Sequence, residues 1–501
     1  LKRKFVTNLA LLLFLNLLIK PLYAFGIDVS VQNTVGASEY GKYFMLLNFS
    51  LILQILLDLG LENFNRREIA RHSNLLEKYL SNIITLKLIL GIIYFAICSA
   101  IGYFVLKFGA KDFWLLSVLM FNQFLASFIL YFRANLGGMH MFRSDSILSV
   151  LDRFLVIIFT GLLLWGNITK KAFRIEWFVY AQTVAYSISA IVSFIIVYLK
   201  AEFIRPRFDI KYYLAVLKQC LPYALLILLM ATYLRIDTVL LGKLLPDGSE
   251  QAGIYAHSYR IVEIFSNYGY LFAILLLPIF SRMINHKEPV AQLLQLSYLM
   301  IITPAIIISI SCAFFRKEII DLLYDEHVIT SASVFGKLIF SFLGMCTTYI
   351  FGTLLTANGN LKILNIIAGI GVIISIGLNL ILIPIHGVHG AAIANISTQA
   401  YMAIAQIILS TRLFRLKINY RLIGKLLVFI PLLIAGGSII KSGSITVKFL
   451  NIDIKLISVH IKFIPGFILI ISIGILLGFA IRLINLKTLY QIVRYDDVIK
   501  N

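Results

Sequence analysis

Charged side chains are scarce in this sequence. They make up 14% of its 501 residues, against about 25% in soluble globular proteins. Hydrophobic residues reach 60%, and the mean hydropathy is +0.91. An ordinary core cannot absorb that excess, which excludes a cytosolic enzyme or a soluble binding module. Cysteine is also rare. Cys98, Cys220, Cys312 and Cys346 all fall within or at the ends of apolar runs. They read as buried small hydrophobes, with neither a disulfide framework nor metal-site spacing. The sequence lacks a Gly-x-x-x-x-Gly-Lys-Ser/Thr loop, an HExxH motif and a nucleophile elbow, so it offers no site for ATP hydrolysis. His386 and His389, three apart in a short connection, read as loop histidines before a metal pair. Acids are few as well, 24 against 45 Lys and Arg, for a formal net charge of +21. The basic residues sit mainly between apolar runs, where they orient a membrane protein, so nucleic acid is not the expected partner.

What is present is a series of long apolar segments. About fourteen are long enough to cross roughly 30 Å of hydrocarbon, from 5–25 and 39–60 through 147–166 and 219–242 to 423–441 and 459–483. The first resembles a signal peptide, with Lys2-Arg3-Lys4 ahead of its apolar run. Its length and the Lys20-Pro21 pair favour a retained span. With the N-terminus inside, inner loops and tails hold roughly 27 Lys and Arg and outer loops roughly 12. The strongest inner clusters are Arg66-Arg67…Arg71…Lys78, Lys200…Lys218 and Arg412…Lys425. The clearest outer loop is acidic: Glu318, Asp321, Asp325 and Glu326. Two outer loops, Lys170…Arg174 and Lys441…Lys462, run against the trend. The asymmetry places both termini in the cytoplasm.

A weak internal repeat organises the segments. Glu39-Tyr-Gly-Lys-Tyr43 aligns with Gln251-Ala-Gly-Ile-Tyr255, pairing Gly41 with Gly253 and Tyr43 with Tyr255. Tyr131 and Leu136 align with Tyr349 and Leu354, and Thr183-Val-Ala-Tyr186 with Thr398-Gln-Ala-Tyr401. All three matches share an offset of about 212–218 residues. The expected fold is an all-α integral membrane protein with two six-helix lobes, 1–200 and 201–415. Residues 416–501 then supply two more transmembrane helices and a cytoplasmic tail. The repeat is parallel, so a pseudo-two-fold axis along the membrane normal and a substrate site between the halves are expected.

Intramembrane charge is costly, about 2.5–3.5 kcal/mol at the bilayer centre on insertion scales, and so marks function. Lys20 and Arg235 fall toward the outer ends of their segments, at nearly one height. Lys42 and Arg260 lie near the outer ends of the repeat-related segments 39–60 and 254–280. These four are the expected headgroup-binding cations. Each has a plainer alternative: Lys42 lies close enough to the surface to snorkel, and Arg260 can pair with Glu263 at i, i+3. Lys87 and Lys337, near span ends, are expected to snorkel, and Asp58 to lie at the interface. Asp237 and Glu263 are the residues expected to couple an ion, H+ or Na+. No other cofactor and no metal is expected. A wet cationic cleft open to lipid suits an anionic headgroup whose tail stays in the bilayer, since Arg and Lys pair with phosphate oxygens.

Lys20-Pro21, Glu39-Tyr-Gly-Lys-Tyr43, Asp58-Leu-Gly-Leu61 before Arg66-Arg67…Ala70-Arg71, and Gly387-Val-His-Gly-Ala-Ala-Ile-Ala394 resemble the polysaccharide transporters of the MOP superfamily. The resemblance is greatest to the Wzx-type lipid-linked oligosaccharide flippases and covers essentially the whole chain. It implies a two-lobed, multidrug-exporter-like fold in the bacterial inner membrane. It implies export of an undecaprenyl-pyrophosphate-linked sugar unit, with a polysaccharide polymerase and a chain-length regulator as partners. In the related lipid II flippases, basic residues of spans 1, 2 and 8 line the cavity; the comparable positions here are Lys20, Lys42 and Arg260. A drug/cation antiporter of the same superfamily is the alternative, but its cavity should be more acidic or aromatic. A membrane glycosyltransferase or polymerase would need a large external loop, and the loops here are short.

Overall fold

Backbone N–H and C=O groups inside hydrocarbon must be satisfied within their own segment, so apolar runs of this length can only be helices. The computed structural model describes residues 14–62, 65, 69, 76–139, 141–166, 171–200, 210–416, 419–442, 444–449, 452–458, 463–481 and 483. Thirteen helices among the described residues are long and apolar enough to cross a membrane. Hydroxyls are accommodated along them by bonding back to the preceding turn: Thr34 to the Ser30 carbonyl, Thr85 to Ser81, Thr183 to Val179 and Thr398 to Ala394, the usual resort of Ser and Thr inside a helix. The basic residues Lys2, Arg3, Lys4, Arg66, Arg67, Arg71, Lys170 and Lys462, and the C-terminal tail, lie outside the described residues.

Thirteen helices and fourteen apolar segments are reconciled at the first of them. Helix α1 (Phe14–Leu57) has 44 residues and would be about 66 Å long if straight, twice the hydrocarbon thickness. It breaks at Gly36, whose φ of 80° and ψ of 165° belong to glycine alone. Segments 5–25 and 39–60 are therefore the two arms of α1, and the first arm continues well past residue 25. The break frees the Ala37 N–H, which donates to Glu326 Oε2 at 2.9 Å.

The remaining elements follow in chain order. They are α2 (Leu76–Ala100), α3 (Ala110–Gly138), α4 (Phe142–Trp165), α5 (Ile175–Tyr198), α6 (Ile210–Leu244), α7 (Gly248–Asn285) and α8 (Ala291–Phe314). The acidic loop is partly helical, as the short α9 (Arg316–Leu323). Then come α10 (Val328–Leu338), α11 (Ser341–Ala357), α12 (Leu361–His386), α13 (Val388–Leu413) and α14 (Tyr420–Ser442). A short antiparallel ribbon, β1 (Ser444–Phe449) and β2 (Ile452–Ser458), precedes α15 (Phe463–Ala480). Large apolar side chains such as Ile92, Phe104 and Ile373 point outward, the reverse of a soluble surface, and the protein is a multi-pass membrane protein. All four cysteines are buried, and none of them is in a disulfide.

The chain divides into two compact units. One comprises residues 1–256, 324–326 and 372–391; the other comprises 257–323, 327–371 and 392–501. In the first, α3 packs on α5, α5 on α4, and the second arm of α1 on α6. Leu86, Leu90, Tyr131, Phe132, Leu148 and Val197 belong to its buried core. The repeat-related glycines meet within this unit. A Cβ on Gly41 would lie 2.9 Å from the Gly253 Cα, and one on Gly253 would lie 2.9 Å from the Ala37 Cα. Each would come closer still to a carbonyl oxygen, of Ser249 and Ala37 respectively. Two helix backbones thus touch where the sequence carries Gly in both copies of the repeat. In the second unit, α8 packs on α11, α14 and α15, with Gly437 against Phe314 and Gly474 against Ile307. Lys441 pairs there with Glu318 and lies over the Phe315 ring.

Candidate functional site

Polar groups inside the first unit fall into separate sets, each built where helices bring two or three side chains together. Lys20 sits in the first arm of α1 with apolar turns on either side, and its side chain is exposed. Among the described residues its ammonium has no hydrogen-bond or ion-pair partner. The charges within its electrostatic reach are Arg153, Arg133 and Asp152, two of them cations. Arg133 is spoken for, by a 2.8 Å bond from Nε to Asp145 Oδ1.

The arm's continuation to Gly36 changes the depth of Lys20. It lies about 24 Å along the helix from that break. Arg235 Nη1 donates to Asn48 Oδ1 at 2.9 Å. Lys42 pairs with Asp112 at 2.6 Å, with the two side chains 33% and 21% exposed. It therefore has a carboxylate partner and is only partly exposed. Arg260 belongs to the second unit and bonds Glu263 at 3.0 Å, the i, i+3 pairing open from the sequence.

Asp237 is fully buried. Its Oδ2 accepts from the Tyr255 hydroxyl at 3.0 Å and its Oδ1 from Asn379 Nδ2 at 2.6 Å. The first arm of α1 holds a similar carboxylate that sequence reading leaves out. Asp28, 2% exposed, takes the Tyr40 hydroxyl at 2.9 Å on both oxygens and Gln32 Nε2 at 3.3 Å. It lies just past residue 25, so a span ended there places it in a loop.

Lys87 does not snorkel. It is 1% exposed, and its ammonium donates to Ser127 Oγ at 2.6 Å, the Leu57 carbonyl at 3.0 Å and Asp58 Oδ1 at 3.2 Å. The Phe128 and Tyr131 rings lie beside it. The chain leaves α1 through a tight turn there, and Lys87 gathers the exposed end of that turn. Lys337 is exposed, as expected.

Arg153 is the other residue missed. It occupies the middle of α4 between two rings, 5.0 Å from the Tyr23 centroid and 5.6 Å from that of Tyr186, and Nη1 donates to the Tyr186 hydroxyl at 2.6 Å. The sequence carries the signal plainly, since Arg153 falls inside the apolar segment 147–166. Among the described residues no group of three or more His, Cys, Asp and Glu could hold a metal ion.

Comparison with known proteins places this arrangement. A model of the polysaccharide biosynthesis protein family matches residues 5–284. No protein of curated function matches the sequence. Solved structures resemble the whole fold. Lipid II flippase MurJ in an inward closed conformation is 14% identical with a TM-score of 0.70, over 98% of this chain and 100% of that one. An inward-facing multidrug resistance MATE family transporter of the MOP superfamily is 15% identical with a TM-score of 0.60, over 78% and 93%. A MOP superfamily transporter from Pyrococcus furiosus with a binding pocket of reversed polarity is 15% identical with a TM-score of 0.55, over 82% and 95%. The chain belongs to the polysaccharide biosynthesis protein family and has the membrane fold of the MOP superfamily.

Proposed function

We propose that the protein is a flippase for lipid-linked oligosaccharides. It carries an undecaprenyl-pyrophosphate-linked repeat unit from the inner to the outer leaflet of the bacterial inner membrane, for O-antigen or another surface polysaccharide. Both termini lie in the cytoplasm, and the product passes to a polymerase and a chain-length regulator. The reading is supported by the family and by the likeness in fold to a lipid II flippase. The observation that carries it is Lys20: an ammonium inside an apolar helix, without a carboxylate of its own, beside a second cation. Such a charge has no structural purpose in lipid and costs about 2.5–3.5 kcal/mol there, so it is kept for an anion.

Transport proceeds by alternating access, with phosphates and sugars in water and the isoprenoid tail in lipid. Lys42, Arg235 and Arg260 assist Lys20 in holding the headgroup. An inside-negative potential drives an anion outward by about 2.3 kcal/mol per charge per 100 mV. A pyrophosphate diester with roughly two charges thus gains over 4 kcal/mol at that potential. Asp237, with Glu263, is the group through which a proton or sodium ion would be coupled.

The test is outer-leaflet appearance of the lipid-linked unit in cells whose only copy carries Lys20→Ala, Arg235→Ala or Arg260→Ala. Loss of export at normal protein level is expected, most severely for Lys20→Ala. Full export by all three would remove the cation site. Drug resistance on overexpression without rescue of a surface-glycan defect would select an antiporter instead.

A further inference from the structure

Arg153 is held in a way that a purely structural arginine does not require. Tyr23 and Tyr186 flank its guanidinium, and one N–H of Nη1 is committed to the Tyr186 hydroxyl. The nearest carboxylate is its neighbour Asp152, 3.8 Å from Nε, beyond hydrogen-bond reach. Guanidinium has five N–H donors in a rigid fork. Among the described residues, those of Nη2 and the second of Nη1 meet no acceptor. The side chain is 34% exposed, so the open edge of the fork is accessible. Lys20 precedes Tyr23 by three residues, one helical turn, and so stands next to the ring that Arg153 touches. Lys20, Arg153 and Asp152 together leave an uncompensated positive charge.

We propose that Arg153 and Lys20 form one diphosphate-binding site within the first unit. Arg153 grips one phosphate through its fork, and Lys20 neutralises the adjacent phosphate as a point charge. This deepens the flippase reading and rests on it: the ligand is the diphosphate of a lipid-linked sugar, recognised as a pair of phosphates. The two tyrosines hold the guanidinium plane in place before the ligand arrives, which cuts the ordering cost of binding. Lysine at position 153 would keep the charge but lose both the fork and the stacking.

Farnesyl diphosphate, farnesyl monophosphate and inorganic pyrophosphate are titrated against the purified full-length protein in nanodiscs. The parent is expected to prefer the diphosphate lipid to the monophosphate lipid. Arg153→Lys should lose about tenfold or more in diphosphate affinity, the scale of one charge-assisted hydrogen bond, and the preference should collapse. Tyr186→Phe keeps the charge and only frees the guanidinium, so it should lower the preference without unfolding the protein. It decides the matter if Arg153→Lys fails to fold. An unchanged diphosphate-to-monophosphate ratio in the variants overturns the site. Equal affinity for inorganic pyrophosphate and farnesyl diphosphate would show that a free anion suffices, and would overturn the lipid-linked ligand. The flippase reading fails separately: a parent that binds the diphosphate lipid but moves no lipid-linked sugar contradicts that reading and leaves this site standing.

Discussion

Replacing Gly253 by alanine tests the close backbone contact between the second arm of α1 and the start of α7. The new Cβ would start 2.9 Å from the Ala37 Cα, against about 3.5–4.0 Å for relaxed carbon contacts. The second arm of α1 and the start of α7 must therefore separate by about 1 Å, and the obstacle is backbone, which cannot rotate away. Overpacking of this kind costs about 1–3 kcal/mol, offset by up to about 1 kcal/mol because alanine favours a helix over glycine. Gly377 provides the control. It lies in α12 with nothing within 4 Å of its would-be Cβ, so Gly377→Ala gains the helix term alone, about 1 kcal/mol. Gly253→Ala should be the less stable of the two by about 1–3 kcal/mol, or about 1–3 °C in midpoint if a chain of this size unfolds as one. Thermal unfolding of each purified variant in one detergent measures this. A Gly253→Ala protein as stable as Gly377→Ala would refute the backbone contact.

Other substitutions address single interactions. Lys87→Met removes the donor to Ser127, Leu57 and Asp58 from a site 1% exposed. A loss of about 2–4 kcal/mol is expected, and a double-mutant cycle with Asp58→Asn should show coupling; additive losses would mean the pair is inert. Tyr40→Phe strips Asp28 of the hydroxyl on both its oxygens and should cost about 1–3 kcal/mol, measured by denaturant unfolding; no change would mean that Gln32 alone suffices. Glu326→Ala uncaps the Ala37 N–H at the α1 break, for about 0.5–2 kcal/mol, and faster hydrogen exchange at residues 37–40 is the readout. Asp237→Asn should leave transport running on the electrical potential alone, so that collapsing a sodium or proton gradient no longer slows it; a variant as gradient-sensitive as its parent contradicts coupling through this carboxylate.

The membrane architecture was legible from hydropathy because lipid leaves an apolar run no choice but a helix. The sequence pattern was less able to say where a helix stops. Gly-Ile-Asp and Val-Ser-Val-Gln, at residues 26–32, look like loop by polarity, yet they continue the first arm, where Asp28 accepts from Gln32 and from the Tyr40 hydroxyl. That extension moved Lys20 away from the end of its span and hid a buried acid. Lys87 misled for a similar reason: proximity to a span end suggests snorkelling, and only the fold reveals three acceptors waiting at the turn. The Gly41–Gly253 match, weak as sequence, gained its meaning from a backbone contact. Arg153 was visible by position alone, although its ring partners on α1 and α5 were not, since they lie far away in the chain.

The central claim is that this protein moves a lipid-linked sugar across a bilayer. Its most direct test is reconstitution into liposomes carrying a lipid-linked oligosaccharide in the inner leaflet only, followed by the rate at which an impermeant lectin or glycosidase gains access to it. Access should rise with the amount of protein, quicken under an inside-negative potential, and fall when Lys20 is replaced by alanine. Access no faster than in protein-free liposomes would contradict the account.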